Sequence, residues 1–452
     1  MTALATGSVL AASSVWVRND LPMWIVLPFV FWLGAICGSF LNVCVYRLPQ
    51  YPHGAFWPAI RGLWSPPSSC PRCRELIRWY DNVPVFGWLM LRGRCRNCKM
   101  WISPQYPLVE FLNGLLFVLV YWMEVPSGIR APLEQSCLFS LLGPQTHPGL
   151  GWLSPELWVH LRLLYHLLLI EALLAASLID LRLMIIPDTV TLPTMAVGVV
   201  AAAIFGRLGI IPVWFQEPRL ARDFSYVGPD WLQWMVSEGP AVPAWIEAHP
   251  YLHGVAVSIA GLIVGGGSTW VIRAVGTWGL KREAMGDGDV VLMAMVGSFI
   301  GWQPVVIAFF IAPLFVFVVF LLRMTIRMSE EIPYGPYLSL GTLATILGWR
   351  WVWPSFERMF NLGPLLVLFC GAGLILFVAI LLGLQLFKQM LGYPTSWEEH
   401  PPGEWTAADQ TQYYAGEQVD RFTGQWRQPD HWPGTAAGRG TLFQERWRRW
   451  DR

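Results

Sequence analysis

Nine apolar runs, at residues 21–46, 107–124, 157–180, 189–212, 252–276, 290–301, 303–323, 337–349 and 363–388, constrain this chain more than any other feature. The hydrocarbon core of a bilayer is about 30 Å thick, so a helix of about 20 apolar residues crosses it. Backbone groups in lipid must be paired within their own segment, which leaves helix as the element for each run. The runs at 290–301 and 337–349 are short. The expected fold is therefore an all-α polytopic membrane protein with about eight or nine transmembrane helices. A composition of 54% hydrophobic and 13% charged residues with 27 Trp excludes an ordinary soluble domain and makes the lipid bilayer the expected surrounding. The net charge of +1 gives no reason to expect a nucleic-acid partner. The first twenty residues lack a basic stretch and a cleavage site, so no removable signal peptide is expected; a first span starting near Leu21 acts as its own insertion signal.

Basic residues in short loops orient such a chain. Segment 47–105 carries Arg47, Arg61, Arg72, Arg74, Arg78, Arg92, Arg94, Arg96 and Lys99 against Glu75 and Asp81, which places it in the cytoplasm. Alternation then puts 125–156 outside, Asp180 inside, the acidic segment 213–251 outside, and Lys281-Arg282 through Asp289 inside, with Arg323 and Arg327 returning to the inner face. The aspartate-bearing segments and the cysteine-bearing loop thus share one expected face. No internal repeat is apparent.

Cys70-Pro71-Arg72-Cys73 and Cys95-Arg96-Asn97-Cys98 are joined by residues 74–94. Two ligands on each of two tight turns, with a linker of about twenty residues, fit the tetrahedral thiolate cage of a zinc-ribbon-like loop domain. The arginines nearby are expected to lower the thiol pKa values. Disulfides are the competing reading, disfavoured in a reducing cytoplasm. A site of four cysteine ligands has no open position, so the expected Zn2+ is structural. Cys37, Cys44, Cys137 and Cys370 are scattered and make a poor disulfide framework.

Asp180 ends Leu178-Ile179-Asp180 where the third span emerges, and Gly286-Asp287-Gly288-Asp289 opens another run. Acids at the edge of a bilayer segment are costly, so two at matching depth point to chemistry. Held within hydrogen-bond reach they share one proton, and such a pair activates water on one carboxylate while the other polarises a carbonyl. Asp188, after Pro187, reads as a helix cap, and Asp287 as a solvated turn residue. Glu110, near the start of the second span, lies at a depth that suits the same site. Arg162, His166 and Glu171 lie farther along the third span, where mutual pairing explains them as well as catalysis does.

These residues stand in a recognisable order. Gly38-Ser39-Phe40-Leu41-Asn42-Val43 with Arg47-Leu48-Pro49, the two cysteine words, Ile77-Arg78-Trp79-Tyr80-Asp81-Asn82-Val83-Pro84, Tyr106-Pro107-Leu108-Val109-Glu110, Ile186-Pro187-Asp188, Met285 through Asp289 and Ile332-Pro333-Tyr334-Gly335-Pro336-Tyr337 resemble the prepilin peptidase family. The resemblance runs from about Gly34 to Gly348. It implies a GxGD-type aspartic protease with Asp180 and Asp289 as the pair. The implied substrates are type IV prepilins or type II secretion pseudopilins, cleaved after a glycine at the cytoplasmic face of the bacterial inner membrane. It further implies N-methylation of the new terminus with S-adenosylmethionine, an activity associated with the cysteine-bearing loop. No residue for the methyl donor is assigned.

On this reading residues 1–48 hold the N-terminal segment and first span, and 49–105 the four-cysteine loop domain. Residues 106–349 form the multi-span peptidase core, 350–388 an additional span, and 389–452 a polar Trp-rich tail, disordered or interfacial. The chain departs from the family's pattern at Val291, where a lysine is common; Arg182 and Lys281 are candidate substitutes. Segment 213–251 reads as an insertion. Alternatives are another GxGD-type intramembrane protease, against which the four cysteines argue, and a proton- or ion-coupled transporter, which predicts acids near mid-membrane.

Overall fold

The computed structural model describes residues 23–51, 56–125, 155–206, 208–214, 244–280, 285–326, 333–360, 365–390, 418–419 and 426–427. Most of the two outer segments, Cys137, Lys281, Arg282, Arg327, Ile332 and nearly all of the tail lie outside these residues.

The helices are α1 (Met23–Arg47), α2 (Phe56–Trp64), α3 (Phe86–Met90), α4 (Gln105–Glu124), α5 (Pro155–Leu183), α6 (Asp188–Phe205), α7 (Ala244–Ala248), α8 (Pro250–Leu280), α9 (Asp287–Ile300), α10 (Trp302–Ile326), α11 (Gly335–Phe360) and α12 (Leu365–Met390). In the tail, β1 (Gln418–Val419) pairs antiparallel with β2 (Trp426–Arg427). Each of the nine apolar runs forms helix, and among the described residues 7 helices are long and apolar enough to cross a membrane. The chain is thus an α-helical multi-pass membrane protein. The two short runs behave differently. Run 290–301 is the 14-residue α9, which rises only about 21 Å at about 1.5 Å per residue. Run 337–349 is the first half of α11, which continues through Trp349, Trp353 and Pro354.

One run stops short. The sequence places helix through residue 212, but α6 ends at Phe205 and Gly206 follows with φ 72°. Leu208, Ile210 and Ile211 are apolar because they are buried in protein, not because they continue a helix. Their segment is pinned by side chains instead. Val213 donates its N–H to His253 Nε2 at 3.0 Å, Trp302 Nε1 donates to Val213 O at 2.6 Å, and Gln303 Nε2 donates to Pro212 O at 2.9 Å. Irregular backbone at membrane depth is tolerated only with such partners.

The chain divides into two compact units. One comprises Met1–Met23, Val120–Ile186 and Val190–Thr395. Its centre is α9, buried along nearly its whole length from Leu292 to Ile300, with α5, α8, α10 and α11 around it. An all-round apolar helix needs that position. Lipid offers no hydrophobic drive between helices, so close approach supplies the packing energy. Gly261 of α8 and Gly297 of α9 meet backbone to backbone, each occupying the space where a side chain of the other would stand. Tyr165 of α5 stacks on Phe299 with centroids 4.4 Å apart, and its hydroxyl donates to the carbonyls of Gly198 and Ser298.

The other unit comprises Trp24–Leu119, Pro187–Thr189 and Ser396–Arg452. Here α1 and α4 cross tightly at small residues. A Cβ on Gly34 would fall 2.7 Å from Phe117, and one on Gly38 2.9 Å from Asn113, while Asn113 Nδ2 donates to Gly34 O at 2.9 Å. Arg47 ends α1 and turns its guanidinium onto the Gly62 and Leu63 carbonyls of α2 at 2.8 and 3.3 Å. This basic residue caps the second helix in place of water.

The α8–α9 seam yields a direct test. Gly297→Ala should lower the thermal midpoint of the detergent-purified protein by several degrees, an overpacking cost of about 1–3 kcal/mol. Gly267→Ala, whose Cβ meets nothing within 4 Å, should leave the midpoint unchanged or raise it. Equal midpoints in the two variants would mean that the helices do not touch here.

Candidate active site

Asp180 lies on the last turn of α5, which Met184 ends with φ 57°. Asp289 is the third residue of α9, after an extended Gly286 at the N-cap. Both are buried, with 6% and 7% of their surface exposed. The two carboxylates lie within electrostatic reach of one another. Asp289 accepts a hydrogen bond from the Gly286 N–H, as an acid at the third helical position does when it folds back on the cap. Asp180 accepts from the Gly335 N–H, at the start of α11. The phenol of Tyr334, one residue earlier, is in electrostatic reach of Asp289. Ile186 sits between the two turns. A Cβ on Gly288 would fall 2.9 Å from Ile186 Cβ, and one on Gly335 3.0 Å from Ile186 Cδ1. Two buried carboxyl groups facing one another in this way can work as acid and base.

The turn that carries Asp289 is clamped from α8. Arg273 Nε donates to Met285 O at 2.8 Å, and Arg273 Nη1 pairs with Asp287 Oδ1 at 2.9 Å. Asp287 is solvated as expected, with its side chain 81% exposed, but it also has this cationic partner. A cation inside the apolar run 252–276 was the available sign, since such residues are costly in a span. Lys281, one proposed substitute for the lysine missing at Val291, lies outside the described residues.

The other polar candidates have separate structural settings. Asp188 is the first residue of α6, where a carboxylate suits the positive end of the helix dipole. Glu110 accepts hydrogen bonds from the Val85 N–H at 2.7 Å and from Ser39. Val85 has φ 61°, unusual for a β-branched residue, so Glu110 ties down a strained turn. His166 pairs through Nδ1 with Glu124 Oε1 at 2.8 Å, both fully enclosed. Glu124 was not singled out from the sequence, although an acid closing an apolar run is its sign. Arg162 is buried and Glu171 half-buried on the same helix.

The two cysteine turns repeat one another. In each, the first Cys donates its N–H five residues on, Cys70 to Glu75 O at 2.9 Å and Cys95 to Met100 O at 2.8 Å. In each, the residue four positions after that Cys returns a bond to it, and this residue, Arg74 or Lys99, has positive φ. Bridges Ser69↔Leu76 and Arg94↔Trp101 close both turns. Beyond the cysteines only Ile77 and Ile102 are identical across the two turns, so the sequence shows little of this local duplication.

The four sulfurs lie within 4.8 Å of one another, with Cys70–Cys98 at 3.7 Å and Cys73–Cys95 at 3.9 Å. Metal–sulfur bonds of about 2.3 Å in a tetrahedron require sulfurs about 3.8 Å apart. The four residues can therefore hold a metal ion. The N–H groups of Cys98 and Asn97 hold the Cys95 thiol down at about 7, whereas burial pushes Cys70 up to about 11. At Cys95 the turn's own backbone, rather than an arginine, favours the thiolate. Arg96, between two ligands, forms a fork with Asp81 at 2.8 and 2.5 Å and holds that carboxyl below its usual range. The seven described cysteines are all free of disulfides.

Residues 32–124 match the bacterial peptidase A24 N-terminal domain, and residues 244–322 match the type IV leader peptidase family. The chain is 29% identical over 355 residues to a prepilin leader peptidase/N-methyltransferase of Aeromonas hydrophila, covering 74% of this chain and 96% of that protein. A protein of the same description from Pectobacterium carotovorum subsp. carotovorum is 29% identical over 325 residues, 68% and 88% of the two chains. The type 4 prepilin-like proteins leader peptide-processing enzyme of Escherichia coli O78:H11 is 30% identical over 323 residues, 69% and 90% of the two chains. No solved structure matches. With that coverage, and with both aspartate turns and the four-cysteine cage in place, the chain belongs to the type IV leader peptidase family.

Proposed function

We propose that this protein is a membrane-embedded aspartic endopeptidase, with Asp180 and Asp289 as its catalytic pair. It removes the short basic leader of type IV prepilins or type II secretion pseudopilins after a glycine, at the cytoplasmic face of the bacterial inner membrane. The observation that carries the reading is the convergence of two enclosed carboxylates, from the end of α5 and the start of α9, within electrostatic reach. Two buried like charges in reach of one another oppose joint ionisation, so the working pair is read as one ionised and one protonated acid. The ionised member takes a proton from a water molecule as that water attacks the scissile carbonyl carbon. The protonated member donates to the carbonyl oxygen. Collapse of the tetrahedral adduct breaks the C–N bond and returns a proton to the leaving amine. Substrates of this kind present a basic leader followed by an apolar helix. The positive-inside distribution of loop charge supports a leader bound on the side of the basic loops. The relatives' descriptions support proteolysis and give no support to a transporter.

The same descriptions support a second activity, N-methylation of the amine that cleavage releases. That amine, once deprotonated, is a nucleophile for the methyl group of S-adenosylmethionine. The four-cysteine cage is proposed to hold Zn2+ as a structural ion. Four thiolate ligands leave no position open for water or substrate, so the metal orders the loop between Cys73 and Cys95 and takes no part in bond cleavage.

Mass spectrometry of a co-expressed prepilin tests both activities. Asp180→Asn and Asp289→Asn should abolish leader removal, whereas Asp188→Asn and Asp287→Asn should keep most of it. Complete processing by Asp289→Asn would remove the basis for the pair. The processed pilin from the wild-type enzyme should be about 14 Da heavier than its unmethylated form, the mass of one methylene. Substitution of Cys70 or Cys95 by Ser should release the bound zinc and loosen the loop to proteolysis. Unchanged metal content by elemental mass spectrometry would refute the cage.

A further inference from the structure

Asp180 poses a problem of polarity. It sits at the C-terminal end of α5, where a helix presents carbonyls and the negative end of its dipole. No N–H of its own helix is available there, so its donor must come from another element. Asp289 has the opposite situation, since Gly286, three residues earlier in the chain, supplies its N–H.

The donor to Asp180 is Gly335. The first turn of α11 has little else to offer. Pro336 has no N–H, and the N–H groups of Tyr337 and Leu338 both turn back to Tyr334 O at 3.0 and 3.2 Å. Gly335 also makes room for the acid. A Cβ on it would stand 2.5 Å from Asp180 Oδ2 and 3.0 Å from Ile186 Cδ1, inside the separation of about 3.5–4.0 Å that carbon needs from its neighbours. Any side chain at this position displaces the carboxylate.

We propose that Gly335 is a positioning residue for proteolysis, its N–H and its bare Cα together fixing the Asp180 carboxylate beside Asp289. The proposal rests on the reading of these aspartates as the catalytic pair. The chemical step depends on carboxylate placement and substrate docking does not, so loss of the glycine acts on kcat and spares KM.

The test uses the full-length enzyme in phospholipid nanodiscs with a purified prepilin. Gly335→Ala should lower kcat about 10- to 100-fold, the worth of a backbone hydrogen bond to a charged group, with KM unchanged. Gly348→Ala, on the same helix and 3.4 Å from Val352 Cγ2 alone, should keep both constants. If Gly335→Ala fails to accumulate, the same measurement is made after adding Ile186→Val, which removes the methyl facing the new Cβ but leaves the clash with Asp180. A wild-type kcat in either background, or a loss confined to KM, overturns the proposal. Asp180→Asn separates the two ideas. If that variant still cleaves, the catalytic reading fails; if it is dead while Gly335→Ala is fully active, the positioning role alone fails.

Discussion

A carboxylate removed from water must be met by donors, and the unit that holds Asp180 and Asp289 is arranged around meeting this need twice. Burying an unpaired ionised acid costs several kcal/mol even after relaxation. Helix N-termini are the natural remedy, because their first N–H groups have no partner within the helix. The start of α9 serves Asp289 and the start of α11 serves Asp180. The centre of the unit follows from this choice. The first turn of α9 meets an enclosed acid and the rest of the helix stays inside, whereas α11 keeps Leu340 and Trp351 exposed. Accordingly α9 is short, apolar on all sides and surrounded, and glycines on α8 let that neighbour come close enough to enclose it.

The unit that carries the cysteines solves a different problem. Its residues from Ser65 to Ser103 form short turns and single bridges, with α3 as the one α-helix among them. So little regular structure buries little apolar surface, and a metal held by the four cysteines would supply a cross-link. The two knuckles have the same backbone, and Arg96 reaches from the second to Asp81 in the linker. A metal bound in the cage would therefore act on the linker as well.

Much of this was legible in the sequence. Apolar runs predicted the helices because hydrocarbon thickness fixes their length, and Cys-x-x-Cys spacing predicted the cage because tetrahedral geometry fixes the turn. The acids at Asp180 and Asp289 were legible because charge at the rim of a span is costly. What was missed depends on contacts between distant segments. Nothing near Asp180 in sequence names Gly335 as its donor, and a glycine before a proline reads only as a helix start. Arg273 and Glu124 had a local sign, a charge within or at the end of an apolar run, but their partners lie 14 and 42 positions away. The end of α6 was misplaced because apolar residues buried in protein and apolar residues facing lipid look alike in one dimension.

Ile186 is the feature with the widest reach. It follows Asp180 by six positions, and its side chain fills the gap between Gly288 and Gly335. A larger group at either glycine, or a different branch at Ile186, alters both aspartate turns at once. These three positions, far apart in the chain, are therefore energetically coupled. The effects of substituting any two of them together should not add, because each shares the same small volume with the others.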